Sequence, residues 1–153
     1  MGREIERKFL VLGDEYRALG RGVPYRQGYL CTDPRRVVRV RTMGEAAALT
    51  VKGLRSGAAR PEFEYAIPLE DARQLLQLCL PPLIEKTRYT VEVAGLVWEV
   101  DEFHGGNAGL VVAECELQSE NQVFSKPGWV GEDVTDDPRY ANSNLVAEPY
   151  STW

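Results

Sequence analysis

The sequence predicts a mainly β (α+β) fold, an antiparallel barrel or sandwich of eight strands with a few short helices. Two observations carry that reading. Strand-like runs follow one another at short intervals, at 4–12, 25–31, 37–42, 48–52, 62–67, 84–93, 96–103 and 110–117. The breaks between them hold turn chemistry: Asp33-Pro34, Met43-Gly44, Ser56-Gly57, Ala94-Gly95 and the Gly-rich stretch from His104 to Gly109. Val93-Ala94-Gly95-Leu96 reads as a tight hairpin, because glycine accepts the positive φ that such turns need.

Helices are few. Ala72, Leu75, Leu76, Cys79 and Leu80 fall at i, i+3, i+4, i+7 and i+8 and mark one apolar helical face, which Pro81-Pro82 ends. Ser119-x-x-Gln122 is a capping-box pattern that predicts a second short helix stopping near Pro127-Gly128. Asp136-Asp137-Pro138 predicts a third, with an aspartate cap and proline in its first turn.

Length and composition bound the function. A chain of 153 residues, 44% apolar and 27% charged, reads as one domain spanning 1–153. Eighteen Lys and Arg against 23 Asp and Glu leave a net charge of −5, which argues against nucleic-acid or anionic-membrane partners. No run has the roughly 18 to 20 apolar residues that a membrane span needs. The start MGREIERKFLV has too short an apolar stretch and too many acids for a secretion signal. Cys31, Cys79 and Cys115 are odd in number and widely spaced, so the expected setting is reduced and cytoplasmic. The single histidine, His104, sits in a Gly-rich loop and reads as solvated, which leaves no two-histidine metal site. Trp98 falls on an apolar strand face and reads as core, while Trp129 and Trp153 lie in loop or tail.

The charges carry the chemistry. Side chains two apart in a strand share a face. Glu4, Glu6 and Lys8 therefore lie together, as do Arg39 and Arg41, Thr50 and Lys52, Glu62 and Glu64, Lys86 and Arg88, Glu99 and Asp101, and Glu114 and Glu116. Each set opposes an apolar face, with Arg7 the interruption and Cys115 packed away from its flanking glutamates. A solvated sheet face explains any one strand. The recurrence of like-sign pairs calls for opposite charge between them. Carboxylate clusters without histidine or thiolate favour hard cations, and clustered Arg and Lys favour phosphate oxygens. A metal–triphosphate ligand answers both.

Glu4-Ile5-Glu6-Arg7-Lys8 resembles the N-terminal ExExK signature of the CYTH superfamily, the triphosphate tunnel metalloenzymes. Arg26-Gln27-Gly28-Tyr29-Leu30, Arg39-x-Arg41, Thr50-x-Lys52, Glu62-x-Glu64, Glu85 to Tyr89, Asp101 and Glu114-x-Glu116 extend the likeness over the whole chain, toward the short bacterial members. The resemblance implies a closed eight-stranded antiparallel tunnel that hydrolyses or cyclises triphosphates with Mg²⁺ or Mn²⁺. It implies metal binding by Glu4, Glu6, Glu114 and Glu116, and phosphate binding by Lys8, Arg39, Arg41, Lys52, Lys86 and Arg88. Glu62, Glu64 and Asp101 would orient those bases or help hold a second metal. Glu4, Glu6, Lys8 and Lys86 are the expected catalytic group, with Lys8 or Lys86 assisting the leaving pyrophosphate.

Arg139-Tyr140-x-Asn142-x-x-Leu145 resembles the tail that closes the tunnel in short members. Lysines common there are replaced by Ala141 and Ser143, so a tail-supplied positive charge is expected to be missing. The expected reaction is hydrolysis of inorganic tripolyphosphate. Alternatives are nucleoside or thiamine triphosphate hydrolysis, adenylate cyclisation, or non-catalytic polyphosphate binding. Monomer and homodimer are both open.

Overall fold

The computed structural model describes residues 2–153. Its strands are β1 (Arg3–Val11), β2 (Gly22–Cys31), β3 (Val37–Met43), β4 (Ala46–Lys52), β5 (Ala59–Ala66), β6 (Ile84–Val93), β7 (Leu96–Phe103), β8 (Val111–Glu116) and β9 (Val130–Asp133). The first eight close into an antiparallel barrel in the order β5-β4-β3-β2-β6-β7-β8-β1, with β1 returning to β5. Closure rests on β1 dividing its length. Arg3–Ile5 pair with Pro61–Ala59 of β5, and Glu6–Leu10 pair with Glu116–Val112 of β8. Beyond β5, the edge of β1 is taken by the unexpected β9, where Phe9 meets Asp133 and Val11 meets Val130.

The β6–β7 turn is the tight hairpin expected, with Ala94 at φ 52° and Gly95 at φ 79°. The helix on the apolar stripe spans Leu69–Leu76 and buries Ala72 and Leu76. It ends four residues before Leu80, and Leu80 is exposed rather than on the buried face. The chain leaves in turns so that Leu80 N can donate to Tyr29 O of β2. No helix forms after Ser119. Gln122 Oε1 instead accepts from Gln118 N, and Phe124 is drawn onto Phe9 and Trp98. Asp137 does cap a turn of 3₁₀ helix at Pro138–Tyr140, and the tail helix Asn142–Ala147 follows it. A short helix at Tyr16–Leu19 lies after β1 and buries Tyr16. No helix among the described residues is long and apolar enough to cross a membrane.

Three apolar clusters position the barrel. Outward-facing Phe9, Trp98, Val100 and Cys115 pack under Tyr16 and Trp129, so Trp129 belongs to the core. Outward-facing Val40 and Ala47 pack under Ala72, Leu76 and Cys79. The third cluster lies inside one end of the barrel. There Tyr29, Val37, Ile84, Phe103 and Val112 are sealed by Tyr140, Leu145 and Val146 of the tail. The interior is therefore a cavity plugged at one end by apolar contacts. His104 is exposed, as expected, and its ring Nε2 lies 2.8 Å from Thr87 Oγ1.

Candidate functional site

Register places the charges. Cross-strand partners share a face, so pairings such as Glu6 with Glu116, Lys8 with Glu114, Arg88 with Asp101, Arg39 with Thr50 and Lys52 with Glu62 put every paired charge indoors. Glu4, Glu6, Lys8, Arg39, Arg41, Lys52, Glu62, Glu64, Lys86, Arg88, Glu114 and Glu116 line one cavity. Asp101 is the exception among the expected residues. It shares the inward face but is fully buried under its partners: both its oxygens accept from Arg88, at 2.7 and 2.9 Å, and Lys86 Nζ stands 2.8 Å away. It holds two bases in place and does not line the cavity.

Most like-sign pairs find opposite charge on a neighbouring strand. Glu64 Oε1 receives Arg39 at 3.3 Å, Arg41 at 3.4 Å and Thr50 Oγ1 at 3.0 Å. Lys52 Nζ lies 3.0 and 3.3 Å from the Glu4 oxygens and 3.3 Å from Glu62. The seam between β1 and β8 differs, because there carboxylate opposes carboxylate. Glu6 is the register partner of Glu116, and the side chain of Glu114 contacts that of Glu6.

This seam is electrostatically strained. Burial, with repulsion from Glu6, pushes the Glu114 carboxyl up to about 7. Burial also raises Glu4, even against the pull of Lys52, and raises Glu116, to which Glu4 and Glu99 add repulsion. Oxygens of Glu4, Glu62 and Glu116 lie within 4.8 Å of one another, a carboxylate cluster able to coordinate a metal. All donors are hard oxygens, and the cavity lining contains no histidine or cysteine, which suits Mg²⁺ or Mn²⁺. Glu62, expected as a supporting acid, thus joins the metal-competent group directly. Lys52 occupies two of these carboxylates, Glu4 and Glu62, and a cation held there would compete with its ammonium.

The bases form the facing wall. Burial drives Lys86 down to about 8, even with Asp101 beside it. Asp101 overcomes burial to hold Arg88 well above its ordinary range, and Arg88 then Lys86 overcome burial to hold Asp101 well below its own. Three cations gather on Tyr25, whose ring centroid is 4.8 Å from the Arg88 guanidinium, 5.3 Å from that of Arg41 and 6.0 Å from Lys86 Nζ.

Several site residues escaped the sequence reading. Arg60 lines the cavity because β5 starts at Ala59, earlier than its alternation suggests. Its guanidinium donates to Gly53 O at 3.1 and 2.9 Å and has no carboxylate partner among the described residues. Arg55 also lines the cavity and pairs with Asp136 at 3.0 Å. Tyr29 and Asn142 also line the cavity, although the charge pattern marks neither; β2 carries Tyr25, Gln27 and Tyr29 on its inner face at period two. That period was the available signal for β2. Nothing local in the sequence aims Asn142 inward.

Comparison with known proteins agrees with this architecture. An inorganic triphosphatase of Acetivibrio thermocellus is 54% identical over 154 aligned residues, covering 100% of this chain and 99% of the relative. One of Nitrosomonas europaea is 38% identical over 147 residues, covering 94% and 96%. The crystal structure of an inorganic triphosphatase superimposes with a TM-score of 0.67 at 37% identity, over 93% of this chain and 96% of the other. A conserved hypothetical protein of Pyrococcus furiosus shares the fold at 19% identity, with a TM-score of 0.60 over 77% and 80% of the two chains. The CYTH domain model matches residues 2–149, and the chain belongs to the CYTH family of triphosphate tunnel proteins, in its short bacterial form.

Proposed function

We propose that this protein is a divalent-metal-dependent triphosphatase that hydrolyses inorganic tripolyphosphate to pyrophosphate and phosphate. One observation carries the reading: a strained seam of carboxylates faces a bank of bases across a single cavity closed at one end. Phosphoryl transfer asks a protein mainly for position and charge, and this arrangement provides both. The family relatives that bear the name inorganic triphosphatase support the choice.

Glu4, Glu6, Glu62, Glu114 and Glu116 would hold the cation. Mg²⁺ or Mn²⁺ bound there supplies charge neutralisation at phosphate oxygens and a more acidic water. Arg39 and Arg41 present guanidinium forks to the phosphate chain, while Arg88, its fork held by Asp101, adds charge beside Lys52, Lys8 and Arg60. A cavity carboxylate not engaged by the cation would take the proton of the attacking water. Lys86, held between Asp101 and Asn142, presents its ammonium to the leaving pyrophosphate. Lys8 Nζ donates to Tyr140 O at 3.2 Å and keeps donors for the same task.

The inorganic substrate is preferred to a nucleoside or thiamine triphosphate on the lining itself. No tryptophan or phenylalanine lines the cavity, and its one tyrosine, Tyr29, is 3% exposed and packed in the apolar plug. A stacking platform for an organic group is missing from the wall. Non-catalytic polyphosphate binding is disfavoured because anion binding alone has no use for the carboxylate seam. The test is phosphate release from tripolyphosphate, ATP and thiamine triphosphate with Mg²⁺, Mn²⁺ or chelator. Chelator-sensitive release fastest with tripolyphosphate is expected. A folded protein that binds tripolyphosphate without turnover overturns the proposal.

A further inference from the structure

The sequence leaves two lysines in contention for the leaving group, and the structure shows that one segment addresses both. The tail that plugs the barrel carries no lysine at 141 or 143. It offers acceptors instead. Tyr140 O takes a bond from Lys8 Nζ at 3.2 Å, and Asn142 Oδ1 takes one from Lys86 Nζ at 2.9 Å. The same Oδ1 also receives Gln27 Nε2 at 3.1 Å, and Gln27 in turn bonds the Tyr29 hydroxyl at 3.0 Å. Lys86 and Gln27, buried at 2% and 0% exposure, are thus joined through a single amide oxygen delivered by the tail.

We propose that Asn142 is a positioning residue that makes the docked tail part of the active site, fixing Lys86 for its work on the substrate. The inference rests on the triphosphatase reading above. Asp101 alone anchors the Lys86 ammonium to β7, from the barrel side. Asn142 pulls from the tail side with a neutral acceptor, and two anchors set one rotamer of a long, flexible side chain. Leu145, 0% exposed, and Val146 seat the helix in apolar contacts, which locates Asn142 independently of the polar bonds. A tail built this way contributes geometry where a tail lysine would contribute charge. Undocking it would release Lys86 and Lys8 together.

The test compares Asn142→Ala, Asn142→Asp and Asn144→Ala with the wild type. Asn144 lies on the same helix, but its amide bonds Pro138 O at 2.7 Å and touches no lysine of the site. For Asn142→Ala, kcat on tripolyphosphate is expected to fall about 10- to 100-fold with KM nearly unchanged, the scale for a misplaced catalytic group. Asn142→Asp, which keeps an acceptor oxygen, should recover most of the loss, and Asn144→Ala should turn over like the wild type. Equal losses in the 142 and 144 alanine variants, or a loss confined to KM, would show a structural anchor and overturn the proposal.

A second readout is independent of turnover. The ¹⁵N-correlated signal of the Lys86 ammonium should be sharp in the wild type and broadened by exchange in Asn142→Ala. A wild type inert toward tripolyphosphate that still shows this difference removes the triphosphatase reading and leaves the positioning role standing. An identical Lys86 signal in both proteins removes the positioning role.

Discussion

Glu114 offers the sharpest test of the electrostatics, because the same strain that readies the site for a cation must weaken the metal-free fold. The residue is 7% exposed, and its carboxyl is raised to about 7 from an ordinary 4.5. At about 1.4 kcal/mol per pH unit, keeping it ionised in the fold costs about 3 kcal/mol relative to the unfolded chain. Arg88 Nη2 lies 3.5 Å from it, but that guanidinium is already committed to Asp101 and Glu99. The sign follows from which state holds the proton. Below about pH 4.5 both states are protonated and the penalty is absent; it grows as pH rises and is complete above about pH 7. Glu114→Gln removes the ionisation. In chelator, urea unfolding should show the variant more stable than wild type by about 2–3 kcal/mol at pH 8, with the gap closing toward pH 4.5. With saturating Mg²⁺ the order should reverse, since only the wild type gains full binding energy. A variant less stable than wild type at pH 8 in chelator, or a gap independent of pH, would refute the reasoning.

Three further outcomes follow from the same geometry. Glu62→Gln should raise the Mn²⁺ concentration for half-maximal activity at least about tenfold, in line with loss of a metal-site carboxylate; an unchanged titration would return Glu62 to a purely supporting role. Tyr25→Leu should raise KM for tripolyphosphate several-fold by loosening Arg41 and Arg88, while Tyr25→Phe keeps the ring face and stays near wild type. Gly28→Ala places a Cβ 2.6 Å from Leu83 Cδ2 and 2.7 Å from Cys79 Cβ, so chemical denaturation should show a loss of about 1–3 kcal/mol.

Much of the site was legible because a strand's period of two needs no tertiary information. Glu4 and Glu6, Arg39 and Arg41, or Glu114 and Glu116 must share a face wherever their strands go, and the apolar residues between them must take the other. Closed registers then bring every such face indoors. The same rule accounts for the failures. Charge is what distinguishes an inner face by pattern alone, and Tyr25 and Tyr29 lie on an inner face without charge. It also depends on where a strand starts, and Pro61 obscured the first residues of β5 and with them Arg60.

What the sequence by itself determined was therefore the alternation: which side chains share a face, and that one face is charged and the other apolar. Only the tertiary structure decided which charges neutralise one another. Arg39 and Arg41 meet Glu64 across β4 because of strand order, whereas Glu6 and Glu116 are left face to face because β1 closes on β8. The tail's part was decided there as well. A capping box at Ser119 lost its helix to the packing of Phe124, while Asn142, in a helix of six residues, was carried inward by the burial of Leu145 and Val146. Local pattern sets a side chain's direction within its own element, but its partner is set by pairings separated by much of the chain, such as the 56 residues between Lys86 and Asn142.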